Sequence, residues 1–192
     1  MRSPTSLTIA ALTLLAVSVG SSAGLSARTQ ERGSMRADLA GRWELNVPLS
    51  ENAQQKVDRM QSSQGHGPGR HFGGLFGRLF GGGDMEEARR MVLNAPQSFT
   101  ITQTGDRIVL TSSDGRSRTL TANGRKEKID GRDVVTKWDG QRLVSETSLG
   151  DAKVTEMYER SPNAPQLILT TRMDMRGHGV SVRRVYDAAG AR

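Results

Sequence analysis

The chain has no cysteine, which excludes disulfides, thiolate metal sites and a lipid-modified cysteine. Aromatic residues are scarce, with two Trp, two Tyr and four Phe in 192 residues. That is too few for the successive stacking platforms on which single-stranded nucleic acid is held. Lysine is rare, outnumbered 22 to 5 by arginine, and the formal charge is +7. No block of like charge occurs, however. Basic residues alternate with acids, as in Arg125-Lys126-Glu127-Lys128-Ile129-Asp130. This is the pattern of a solvated, mildly basic surface, and no nucleic-acid partner is expected. Of the three histidines, His66 and His71 read as part of a glycine-rich loop and His178 as part of a turn. Neither a metal centre nor a cofactor is therefore expected.

Catalytic signatures are missing too. There is no Gly-x-Ser-x-Gly and no histidine-centred triad candidate. Gly65, Gly67 and Gly69 follow no strand and lack the lysine and hydroxyl of a phosphate-cradling loop. Glu146 and Glu156 could face each other on adjacent strands as paired carboxylates, although ordinary surface alternation explains them equally well. The expected class is a non-catalytic protein.

Only one long apolar run is present, Leu7 to Val19, preceded by Arg2 and followed by candidate cleavage sites after Ala23 (Ser21-Ser22-Ala23) and Ala27 (Leu25-Ser26-Ala27). It is short for a bilayer span and has the layout of a secretory signal. Residues 1–27 are accordingly expected to direct export to the periplasm or the extracellular space, with a retained N-terminal anchor as the alternative. About 165 residues then remain, enough for one domain with a proper interior. Without disulfides, that domain must rest on its core alone.

What the sequence does have is a train of tight-turn signals: Gly105-Asp106, Asp114-Gly115, Asn123-Gly124, Asp130-Gly131, Asp139-Gly140 and Gly150-Asp151. Such pairs accept the positive φ of primed two-residue turns, whose twist matches paired antiparallel strands. They recur roughly every seven to ten residues, the spacing of a small sandwich or barrel. Between them lie β-rich runs at 99–104, 107–111, 116–122, 126–129, 134–138, 143–148, 153–158, 166–173 and 180–186. Ahead of these, Trp43, Leu45 and Val47 alternate along a further strand. Ser50 is placed to cap a short helix over 53–60, and Asp84 a second one over 85–94, with Glu86 and Glu87 in its favourable first turn. The expected layout is a flexible lead at 28–38 and a single β-barrel domain over 39–188, with a Gly/Phe-rich insertion at 65–83.

This pattern resembles the calycins, the superfamily of lipocalins and fatty-acid-binding proteins. Leu39-Ala40-Gly41-Arg42-Trp43 is similar to their Gly-x-Trp opening strand, and the helical segment after it to the helical lid of fatty-acid-binding proteins. Lys137-Trp138-Asp139-Gly140-Gln141 looks like a hairpin common in the group, and Arg183-Arg184-Val185-Tyr186 like its closing Arg-x-Tyr strand. The resemblance implies an all-β, antiparallel up-and-down barrel of eight to ten strands, with one or two short helices after the first. It also implies a small apolar or amphipathic ligand, with Arg184 and Tyr186 holding a carboxylate and Trp43 and Trp138 among the ligand-site residues. Residues i and i+2 of a strand share a face, so Arg184 and Tyr186 are placed to act together. In the alternative, Arg184 covers Trp43 at the closed end while Tyr186 fills core, with Glu44, Glu146 or Glu156 as the arginine's partner.

Phe72, Leu75, Phe76, Leu79 and Phe80 fall at i, i+3, i+4, i+7 and i+8, one stripe of a helix. They could form a flap over the barrel mouth or a contact with a membrane surface or envelope partner. A flexible insertion docked on its own barrel is the competing reading.

Overall fold

The computed structural model describes residues 36–63, 83–175 and 178–190. The proposed signal and the stripe from Phe72 to Phe80 lie outside the described residues. Ten strands are present: β1 (Gly41–Leu45), β2 (Ser98–Thr104), β3 (Arg107–Ser112), β4 (Ser117–Thr121), β5 (Lys126–Ile129), β6 (Arg132–Asp139), β7 (Arg142–Leu149), β8 (Ala152–Arg160), β9 (Gln166–Met175) and β10 (His178–Ala188). Among the described residues two helices, α1 (Ala53–Ser63) and α2 (Gly83–Leu93), follow β1. This is the antiparallel up-and-down architecture, with helices after the first strand, that the turn signals and the resemblance predict.

The turn chemistry explains the hairpins. Asp130 and Gly131, between β5 and β6, both have positive φ, 50° and 77°. A type I′ turn needs positive φ at both central positions, and an Asp-Gly pair supplies it at little steric cost. Apart from β4 and β5, each strand pairs with its sequence neighbour, and the first and last strands also meet. There β1 lies between β2 and β10, with Trp43 opposite both Phe99 and Ala188. The resulting order is β4-β3-β2-β1-β10-β9-β8-β7-β6-β5. The described sheet thus curls into a barrel whose two edges, β4 and β5, carry no ladder between them. At this seam the Gly124 amide donates instead to the Thr136 carbonyl of β6, at 2.8 Å.

Period-two alternation sorts the side chains into inner and outer faces. Two apolar clusters result. One fills the Trp43 end of the barrel with Leu39, Trp43, Ile101, Ile108, Leu120 and Leu143, all fully buried or nearly so. The other lies under the helices, where Val57 of α1 and Ala88 and Val92 of α2 meet Leu149, Val154, Met173 and Val182. Burying each aliphatic side chain of this size contributes about 1.5–3 kcal/mol, so the helices are held by their apolar stripe.

Both helix starts differ from expectation. The cap of α1 is Asn52, whose Oδ1 accepts from the Gln55 amide at 2.9 Å. Ser50 is occupied elsewhere: its hydroxyl donates to the Asn46 carbonyl at 2.7 Å and accepts from the Val185 amide at 2.9 Å. Asp84 lies within the first turn of α2 rather than ahead of it, where its charge still faces the favourable pole of the helix.

Candidate ligand cavity

Between the end of α2 and the inner faces of β2–β4 and β8–β10 lies a cavity of about 440 Å³. Met91, Phe99, Leu110 and Leu169 give it apolar walls, and Arg118, Glu156, Tyr158 and Arg184 line it with polar groups. Strand phase places the charged residues inside. Arg118 lies opposite Leu110 and two residues before the buried Leu120. Glu156 pairs with Ser145 and Thr171, both buried on the inner face. Glu146 has the opposite phase, opposite Thr155, and meets Lys153 on the outside at 3.4 Å. The two glutamates therefore do not form a carboxylate pair, because an even–even pairing would have required a register one residue different.

Arg118 crosses the interior from edge strand β4 to β8. Its Nη2 donates to Glu156 Oε2 at 2.5 Å and to the Tyr158 hydroxyl at 3.2 Å, and that hydroxyl donates to Glu156 Oε1 at 3.2 Å. Burial works against the Arg118 charge, but Glu156 and Tyr158 outweigh it and hold the guanidinium more firmly protonated than usual. Burial, reinforced by Glu156, pushes the Tyr158 phenol well above its ordinary range.

Arg184 is only 4% exposed. Its Nη2 donates to the Val92 and Leu93 carbonyls, at 2.5 and 3.1 Å. These belong to the last turn of α2, whose carbonyls have no partners within the helix. Nη1 is buried with no hydrogen-bond partner among the described residues. Burial lowers the Arg184 pKa, with Tyr186 and Glu156 opposing the shift.

Of the residues picked out in the sequence, Arg184 lines the cavity, while Tyr186, Trp43 and Trp138 are not among its lining residues. Tyr186 is fully buried, edge-on to Phe99 at 4.8 Å, and its hydroxyl donates to the Pro96 carbonyl at 3.2 Å. Burial pushes its pKa up to about 12, with Arg184 opposing and Glu156 adding to the shift. Trp43 lies in the closed-end core, its Nε1 donating to the Leu39 carbonyl at 3.0 Å. The cation over its ring is Arg160, 4.9 Å from the centroid, rather than Arg184. Trp138 packs partly buried against the same cluster. Sequence reasoning missed Arg118 and Tyr158 as cavity residues. The available trace was phase: Arg118 shares a face with Leu120, and Glu156 and Tyr158 stand at i and i+2.

Among the described residues no three His, Asp or Glu side chains gather as metal ligands, and no helix is long and apolar enough to cross a membrane. Solved structures similar to this chain in outline include the zebrafish ileal bile acid-binding protein complexed with cholic acid, at 13% identity and a TM-score of 0.46 over 78% of this chain and 98% of that one. Fatty-acid-binding protein 1 of Echinococcus granulosus matches at 13% identity and 0.43, over 79% and 98%. A secretory abundant heat soluble protein of Ramazzottius varieornatus matches at 14% and 0.45, over 80% and 96%. No protein-family model matches the chain, and no curated protein does.

Proposed function

We propose that this protein binds or carries, without catalysis, a small amphipathic molecule whose apolar body fills the cavity and whose anionic group faces Arg184. One observation carries this reading. Arg184 places a guanidinium against the cavity, almost wholly out of water, with neutral carbonyls as its acceptors and one nitrogen unpartnered among the described residues. A buried charge without a counter-ion is costly, and an anionic ligand would offset that cost while forming charge-assisted hydrogen bonds. Phe99, Leu110 and Leu169 supply apolar contact for the remainder of the molecule. The layout of residues 1–27 supports a place of action outside the cytoplasm, to be checked by N-terminal sequencing of the protein recovered from its native compartment.

The binding test is native mass spectrometry of the freshly purified protein, followed by titration with a dansylated undecanoic acid. A retained small molecule, or a saturable rise in dansyl emission, is the expected result. Arg184→Met should weaken the acid roughly tenfold or more, given the strength of hydrogen bonds to charged groups. A protein that is always empty and ignores the probe overturns the reading.

A further inference from the structure

We propose that Arg184 is a positioning residue that couples the charge of the bound molecule to the order of α2. This rests on the reading of the cavity as a ligand site and goes one step further. The geometry is that of a two-sided clamp. Nη2 holds the Val92 and Leu93 carbonyls at the end of α2, and Nη1 of the same rigid plane has no partner among the described residues. A guanidinium presents its donors in a fixed fork. An anion accepted at one side therefore restricts the plane that serves the other.

The cap also sits where it matters to the helix. The terminal carbonyls of a helix have no intrahelical donors and form its negative pole, so a cation there satisfies both needs. Other ties hold α2 as well. In its far half Glu87 meets Arg132 at 3.7 Å and Ala88 is fully buried, while in the capped turn the side chain of Val92 is fully buried. The segment just past the cap, Asn94 to Pro96, lines the cavity. The ligand's apolar body touches this segment whatever its charge, whereas only an anion engages the clamp. Coupling between two sites is reciprocal, so an ordered α2 must in turn favour anions over neutral analogues.

The experiment compares hydrogen exchange at the backbone amides of residues 90–97 in the intact protein, alone and saturated with the dansylated undecanoic acid or its methyl ester. The acid should slow exchange roughly tenfold or more beyond the ester, since a fixed charge-assisted cap closes local opening of this turn. A second arm uses the exposed Arg90. Arg90→Gly loosens the helix, and Arg90→Ala removes the same charge while keeping helix propensity. Arg90→Gly should bind the acid roughly threefold more weakly than Arg90→Ala, but the ester equally. Equal slowing by acid and ester, or equal acid affinity in the two variants, overturns the coupling and leaves the binding reading standing. Failure of the wild-type protein to bind either probe overturns both.

Discussion

The two ends of the barrel solve the same problem in opposite ways. At the Trp43 end, inward positions carry buried apolar side chains, and the nearby cation, Arg160, stands exposed at the end of β8 with its guanidinium over the indole face. At the α2 end, inward positions carry Arg118, Glu156 and Arg184 around a cavity of about 440 Å³. The first arrangement maximises burial of apolar surface, the main driving force for folding. The second spends stability on a hollow with charged groups in it, and such departures from the packing rules are where binding sites are found. The contrast separates an apolar end from a hollow, charged one within a single sheet.

Three substitutions sharpen the comparison. Trp43→Ala should be the most damaging, costing about 3–5 kcal/mol in urea unfolding through the cavity it leaves. A loss below about 1 kcal/mol would mean that the apolar end is not what holds the barrel together.

Tyr186 joins the two ends, packing on Phe99 and donating to Pro96 just past α2. Its pKa lies near 12 in the fold, raised by burial, against about 10 in an unfolded chain. The folded protein therefore holds this proton more tightly. The stability it contributes is complete below pH 10 and is lost as the pH rises towards 12, by about 2–3 kcal/mol at most. Tyr186→Phe should flatten that alkaline decline, while costing about 1 kcal/mol at neutral pH for the missing hydroxyl bond. A stability–pH curve unchanged above pH 10 would contradict the placement of Tyr186.

Arg160→Ala should have the smallest effect, about 0.5–1 kcal/mol for an exposed cation over a buried indole. It should leave probe binding unaltered. If instead it weakened the dansylated acid, the division between the two ends would fail.

Much of the fold was legible because turn chemistry is local. Asp130-Gly131 or Asp139-Gly140 announces a hairpin without reference to anything distant, and β2 to β8 followed from such punctuation, while β1 followed from the alternation of Trp43 and Leu45. The strand pairing of Trp43 with both Phe99 and Ala188 was legible only through the resemblance, since neither partner is near it in sequence. The cavity was harder. Val134-Val135 and Leu167-Ile168-Leu169 are apolar on both faces, so alternation could not say which residues look inward. The contact between Arg118 and Glu156 joins strands that are not neighbours in the sheet, and no pattern of spacing encodes it. Arg184 was visible as a cation in the last strand, but its attachment to the end of α2 depends on where the helix docks. Asn52 displaced Ser50 as a cap because the hydroxyl of Ser50 is drawn to the Val185 backbone, again a distant partner.

The gap between β4 and β5 has a consequence for how the chain could be rewired. Read from that gap, the strands run β5 through β10, then β1 through β4, so the sheet is a cyclic shift of the order of synthesis. The first and last strands already lie side by side, with the Ala189 amide donating to the Arg42 carbonyl at 2.8 Å. A gene reopened at Asn123-Gly124, with β10 linked directly to β1, would encode a plain zigzag in which every ladder joins consecutive strands.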